Sequence, residues 1–243
     1  MKDIIYIGEL DQDVDDVVAA EYLHLEGKLK GIVLDPYPET EIGLARLKRL
    51  KELGIQFYRS IPSCSAIFVG GAFTEIARFL RTHKVDIIVA NGGFVGANIV
   101  PKSEQLPKFR GKEYVRTFNF NMDVDAITEV LNSKNVGQIY LIGKNVCHDI
   151  KNTREGIWKD KYTDLLEYHQ VPDKKRLHDL LACHEGIQFI NGTLENCILK
   201  YENVTCVNKG LNGKYTEWGS KKGGNVISAV GWRQYYESGR KIR

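Results

Sequence analysis

The sequence predicts an α/β protein with a mainly parallel, Rossmann-like central sheet flanked by helices, and a strand-rich C-terminal part. Three observations carry that expectation. Short apolar runs alternate with helix-periodic segments over the first 185 residues, the order of a sheet built from strand–helix–strand crossovers. Glycine- and proline-containing breaks separate these segments. From Gly186 onward the helical period gives way to closely spaced apolar runs. The 243 residues, 43% hydrophobic and 27% charged, read as one domain (1–243) large enough to bury a core.

In chain order, Ile4–Ile7 is a buried first strand, and Asp15–Glu26 a helix that Gly27 stops. Leu29–Leu34 is a second strand. Asp35-Pro-Tyr-Pro38 must turn, because neither element tolerates prolines at that spacing. Residues 39–53 return to helical periodicity, with Gly54 at the end, and Ile55–Tyr58 is a third strand. Ala66–Gly70 is a fourth strand, and Gly71–Thr74 opens a helix running to about Thr82. Val85–Ala90 is a buried strand leading into the Gly-rich segment Asn91–Asn98. Residues 99–113 are irregular and basic. Tyr114–Phe120 is a candidate strand, Val124–Asn132 a helix, and Ile139–Gly143 another buried strand. Thr153–Cys183 reads as helical with a break at Pro172. Beyond it lie strands at Ile187–Ile190, Asn196–Leu199, Val204–Val207 and Asn225–Val230, with turns at Trp218, Gly219, Gly223 and Gly224.

Composition narrows the function classes. A net charge of +3 is too small to point to nucleic acid, so no nucleic-acid partner is expected. No apolar run reaches membrane-spanning length, and the start of the chain carries no signal-peptide pattern, so the reading is a cytoplasmic protein with no membrane partner. Five cysteines, without a Cys-x-x-Cys pair, fit free thiols in a reducing compartment.

The segment with chemistry in it is Glu9-Leu-Asp-Gln-Asp-Val-Asp-Asp16, where five of eight side chains are acids at the end of the first strand. Like charges about 5 Å apart repel by ~3 kcal/mol at an effective dielectric near 20. Crowding of this kind calls for a cation, raised pKa values or splaying into solvent, and hard cations take carboxylate oxygens. In parallel sheets ligands gather at the C-terminal strand ends. The acidic turn, Gly71–Thr74, Asn91–Asn98 and the segment after Gly143 all fall on that edge.

Three segments, Glu9–Asp16, Phe118-Asn-Phe-Asn-Met-Asp-Val-Asp-Ala126 and Leu177-His-Asp-Leu-Leu-Ala182, in this order, resemble the inosine–uridine preferring nucleoside hydrolase family. Gly71-Ala-Phe-Thr-Glu-Ile-Ala77 and Val89–Asn98 add weaker matches, and the likeness covers roughly residues 3–185. The chain is shortened relative to that family between Asp16 and Thr74. The resemblance implies an N-glycosyl hydrolase acting on a small-molecule nucleoside or nucleotide, forming a homo-oligomer (dimer or tetramer). It implies a calcium ion held by Asp11, Asp16, Asp179 and the backbone of Thr74. Asp11 then serves as general base, His178 protonates the departing base, and Asp15, Asn98 and Asn119 bind the substrate.

The departures have consequences. Glu9 stands where the family has Asp, and Gln12-Asp13 replaces its Pro-Gly, so the turn geometry must differ. Thr117 stands in place of a Glu that contacts the sugar 5′-hydroxyl. With the basic residues Lys102, Lys108, Arg110, Lys112 and Arg116, this suggests a substrate with a 5′-phosphate or other extension. Two other classes compete. Asp11-Gln-Asp13-Val also fits the nucleophile motif of magnesium-dependent haloacid-dehalogenase-type phosphatases, and a non-catalytic nucleoside-binding relative fits a shortened, altered member.

Overall fold

The computed structural model describes residues 3–149, 151–194, 197–207 and 216–232. The α/β expectation holds. Its strands are β1 (Ile4–Gly8), β2 (Leu29–Leu34), β3 (Phe57–Tyr58), β4 (Ala66–Val69), β5 (Val85–Asn91), β6 (Tyr114–Val115), β7 (Val136–Ile142), β8 (Cys197–Val207), β9 (Glu217–Lys222) and β10 (Val226–Trp232). All belong to one sheet in the order β3-β2-β1-β4-β5-β7-β10-β8-β9-β6. From β3 to β10 every pairing is parallel, and from β10 through β8 and β9 to β6 every pairing is antiparallel.

The helices are α1 (Asp15–Leu25), α2 (Glu41–Glu52), α3 (Thr74–Leu80), α4 (Phe118–Met122), α5 (Val124–Leu131), α6 (Lys144–Cys147), α7 (Thr163–Tyr168) and α8 (His178–Asn191). Period-two alternation sends strand side chains to two separate cores. Tyr6, Phe68, Val89 and Tyr140 pack with α1, α7 and α8. Ile5, Ile7, Ile67, Ile88 and Leu141 pack with α3 and α5 on the other face. Full burial of each such side chain is worth about 1.5–3 kcal/mol, which is why the strand runs read as continuously apolar.

The chain runs outward from β1 through β2 to β3, then returns to place β4 on the other side of β1. This reversal opens a crevice beyond the C-terminal ends of β1 and β4, the position where doubly wound sheets hold ligands. Glu9–Asp16 follows β1 directly and therefore lies at that crevice.

Five expectations change. The strand expected at Ile187–Ile190 is the last turn of α8; Gly186 does not break the helix but lets it sit close on Phe68 and Val89, and Phe189 stacks on Tyr140 at 4.4 Å. A four-residue apolar run cannot distinguish a strand from the buried end of a helix. The strand expected at Tyr114–Phe120 is limited to Tyr114–Val115, after which the chain coils into α4. The helical reading of Thr153–Cys183 shrinks to α7 and the start of α8, with turns between, around buried Trp158. Trp218 and Gly219 lie inside β9, where Trp218 packs on Phe120 and donates to Asn121 Oδ1 at 2.6 Å. Val204–Val207 continues the Cys197–Leu199 strand as β8, and Asn196 lies outside the described residues.

All five cysteines are free thiols. No helix among the described residues is long and apolar enough to cross a membrane.

Candidate functional site

A cleft of about 390 Å³ opens at the switch point, a size suited to a small organic ligand. Glu9, Asp13, Asp15 and Asp16 line it from the turn after β1, and Gly70 lines it from the end of β4. Asn91 enters from the end of β5, Asn119 from α4, Lys144 and His148 from around α6, and His178 and Asp179 from the start of α8.

Asp16, Asp179 and Gly70 meet at the floor. A Cβ on Gly70 would lie 2.6 Å from Asp16 Oδ1 and 3.0 Å from Asp179 Cγ, so only a glycine lets the end of β4 approach both acids. Asp16 accepts from Tyr6 Oη at 2.7 Å, and Asp179 accepts from Asn91 Nδ2 at 2.7 Å. Asp15 accepts the backbone N–H groups of Asp179 (3.0 Å) and Leu180 (3.4 Å), so it caps the N-terminus of α8 and fixes where Asp179 stands. Burial, reinforced by the neighbouring carboxylates, raises the carboxyl pKa of Asp16 and Asp179 well above the usual range. Burial raises Asp15 too, against the two N–H groups that it accepts. Glu9 is raised by burial and by Asp11 and Asp13. An acid floor of this kind is short of positive charge. Lys175 pairs with Asp13 at its edge, and Arg46 adds a second positive charge behind the turn, donating to the Asp13 carbonyl at 2.9 Å.

The structure brings together Asp15, Asp16, Asn119, His178 and Asp179 from the expected set. It leaves Asp11, Thr74 and Asn98 out of the cleft lining. Asp11 takes the N–H groups of Glu39 (2.9 Å) and Thr40 (3.1 Å) and the Thr40 hydroxyl (2.7 Å). The physical reason is local. Gln12-Asp13 in place of Pro-Gly changes the turn, and the unsatisfied N–H groups ahead of α2 capture the nearest carboxylate. Gly43 allows α2 this close, since a Cβ there would lie 1.9 Å from Asp11 Oδ1. These hydrogen bonds, led by the one from Glu39, hold Asp11 below the usual carboxylate range. Asp13 faces the cleft instead. Thr74 opens α3 and donates from Oγ1 to Asp123 (2.9 Å), whereas Gly70 is the residue of that stretch at the cleft. Asn98 donates to the Ser220 carbonyl (2.7 Å) and ties its loop to β9. Asn119 spends its Nδ2 donors on the carbonyls of Gly70 (2.6 Å) and Asn91 (2.9 Å), stitching α4 to two strand ends.

His178 is largely buried, and Nε2 has no hydrogen-bond partner. Burial first, then Lys144, Lys175 and Arg176, lower its pKa to about 4, so the ring is neutral at neutral pH. It can hydrogen-bond a leaving group but does not carry the resident proton expected of a ready acid. Asn91, Lys144, Lys175 and Phe118 were not picked out by sequence reasoning. Asn91 had a readable signal, its place at the end of a buried strand. The lysines had none, because nothing in the chain distinguishes them from solvated ones. Phe118 lines the cleft and is 64% exposed, an aromatic face at the rim.

Among the described residues no group of three or more His, Cys, Asp or Glu side chains stands ready to hold a metal ion. Fold and site together define a doubly wound α/β protein with an acid-floored cleft at its switch point. No protein-family model matches the chain, and no curated protein matches it.

Proposed function

We propose that the chain is an N-glycosyl hydrolase that cleaves the N-glycosidic bond of a nucleoside or nucleoside-like ribosyl substrate to free base and ribose, using a calcium ion and water. The observation that carries this reading is the convergence of Asp13, Asp15, Asp16 and Asp179 with Asn91, Asn119 and His178 in one cleft. The partner is a small molecule. The homo-oligomeric state and cytoplasmic location come from the sequence reading and carry no weight in the chemistry.

The floor offers two buried carboxylates, Asp16 and Asp179, whose mutual repulsion a hard divalent cation would relieve, and a third carboxylate would have to swing in to complete the set. With Asp11 and Thr74 elsewhere, Asp16 and Asp179 would hold the ion, joined by Glu9 or Asp13. Such an ion supplies a Lewis-acidic centre that anchors sugar hydroxyls and makes a water more acidic. Asp13 accepts the proton of the attacking water at a carboxylate oxygen, and its ion pair with Lys175 orients that carboxylate. Asp15 positions Asp179 through the α8 N-terminus. The Phe118 ring offers a stacking face for a flat base, and His178 Nε2, buried and without a protein partner, would turn to hydrogen-bond the departing base.

The test is a panel of nucleosides and nucleotides incubated with calcium, with and without chelator, scored for free base and reducing sugar. Release that chelator abolishes and calcium restores is the expected result; no release from any substrate overturns the proposal. One further reading has an observation behind it. The loss of Asp11 from the cleft favours a nucleoside-binding protein without turnover, which would show nucleoside affinity and no free base. The phosphatase alternative needs Asp11 as a nucleophile in the cleft, and its engagement by Glu39 and Thr40 gives that reading no support.

A further inference from the structure

One wall of the cleft is built unlike its floor. His148 sits between two ammonium groups: Lys144 Nζ is 3.3 Å from Nε2, and Lys108 Nζ is 3.5 Å from Nδ1. Burial first, then Lys144, drives the His148 pKa down to about 3, so the imidazole is neutral. A neutral imidazole has one lone pair and one N–H. It can accept from one of these lysines only, and its N–H then faces the other. Neither lysine forms an ion pair with a carboxylate among the described residues. Lys144 is itself largely buried, which lowers its pKa.

Further donors around this wall are unspent. Thr117 is 2% exposed and lines the cleft, and its Oγ1 has no hydrogen-bond partner. His178, whose ring centroid is 5.0 Å from that of His148, leaves Nε2 unpartnered. Buried donors and charges without partners are costly, and a native protein keeps them where a ligand supplies the acceptors. The missing partner is an anion with several acceptor oxygens pointing in different directions, which describes a phosphate monoester better than a carboxylate.

We propose that Lys108, Lys144 and His148, with the Thr117 hydroxyl, form an anion subsite for the phosphate of a ribosyl phosphate monoester, so that the cleft takes a nucleoside 5′-monophosphate or similar ribosyl phosphate in preference to the unphosphorylated compound. The substrate-class part rests on the hydrolase reading; the subsite does not. Lys144, His148 and Thr117 share one cleft of about 390 Å³ with the acid floor, larger than a lone phosphate fills, and exposed Lys108 lies outside that lining and joins the wall through His148. Of the basic residues in the 99–116 segment, Lys108 is the one in contact with His148.

Titration calorimetry with ribose 5-phosphate, ribose and inorganic phosphate tests the subsite without turnover. Ribose 5-phosphate is expected to bind at least about tenfold more tightly than either of the others. Lys144→Gln and Lys108→Gln should each remove most of that advantage, Lys144→Arg should restore part of it, and ribose affinity should stay as it was in Lys108→Gln. Lys108 is exposed, so its variant keeps the test valid should Lys144→Gln fail to fold. Ribose 5-phosphate binding no better than ribose, or indifferent to both lysine variants, overturns the subsite. Inorganic phosphate binding as tightly as ribose 5-phosphate overturns its assignment to substrate. Turnover separates the two proposals. Nucleosides cleaved as well as their 5′-monophosphates would overturn the subsite and leave hydrolysis standing. Lysine-dependent ribose 5-phosphate binding with no base release from any substrate would do the reverse.

Discussion

The two sides of the cleft carry opposite excesses. Asp15, Asp16 and Asp179 are buried acids packed against one another, with pKa values pushed up. Lys144 and Lys108 flank a histidine that can satisfy only one of them. Each side is poorly matched internally, and the two do not cancel, because among the described residues no ion pair joins Lys144 or Lys108 to these acids and Lys175 pairs with Asp13 instead. Proteins tolerate such local conflict where binding resolves it. The difference teaches that the cleft is built for a ligand with two poles, one met through a cation and one anionic.

The sharpest way to break this contrast is to neutralise the floor. Asp179→Asn is expected to lower base release on the order of 10²–10³-fold, as loss of a preorganised electrostatic group does. The same variant should be more stable than the wild type in chelator, because an amide removes the cost of burying an ionisable group among like neighbours. Urea unfolding with and without calcium reads this, and a less stable variant would count against the crowded-acid account.

A buried acid away from the cleft supplies the reference. Glu202 in β8 has no exposure, is hydrogen-bonded by Ser228, and burial raises its pKa to about 8. Its folded pKa lies above the unfolded value near ~4.3, so its contribution is fully present below about pH 4 and is lost as pH rises through about 8. Glu202→Gln should therefore flatten the fall in stability between those pH values by roughly 1–3 kcal/mol. Denaturant midpoints measured across that range in both proteins give the answer. Calcium should leave this slope unchanged, unlike any slope that originates in the cleft.

On the opposite wall, Lys108→Gln should weaken turnover of 5′-monophosphates about tenfold while sparing nucleosides, as steady-state comparison of the two substrate sets would show. The smallest effect belongs to Asp11. Asp11→Ala removes the acceptor for the N–H groups ahead of α2 and should lower the denaturant midpoint slightly, with base release little changed. A collapse of activity in a folded Asp11→Ala protein would put the base back where the sequence reading placed it.

Much of the parallel sheet was legible because its central strands are largely buried on both faces. Ile4–Gly8, Leu29–Leu34 and Val85–Asn91 announce themselves as apolar runs between turn residues. The far side was harder. β6 pairs with β9 from a distant part of the chain, and Trp218-Gly219 reads as a turn unless Phe120 and Asn121 are known to receive the indole. The site divided in the same way. Asp15, Asp16, His178 and Asp179 sit at a strand end and a helix start, which sequence marks. Asp11 failed because its partners, Glu39 and Thr40, arrive from the other side of β2.

By itself the sequence determined the order of strands and helices from β1 to β5 and the crowding of acids after β1, since both follow from local pattern and spacing. Which acids face the cleft was decided only by tertiary structure, because a carboxylate goes to whichever unsatisfied N–H group or cation lies nearest once the elements are packed. The cationic wall is wholly of that second kind. Lys108, Lys144 and His148 are ordinary residues in the chain and become a site only where the folded protein presses two ammonium groups against one imidazole.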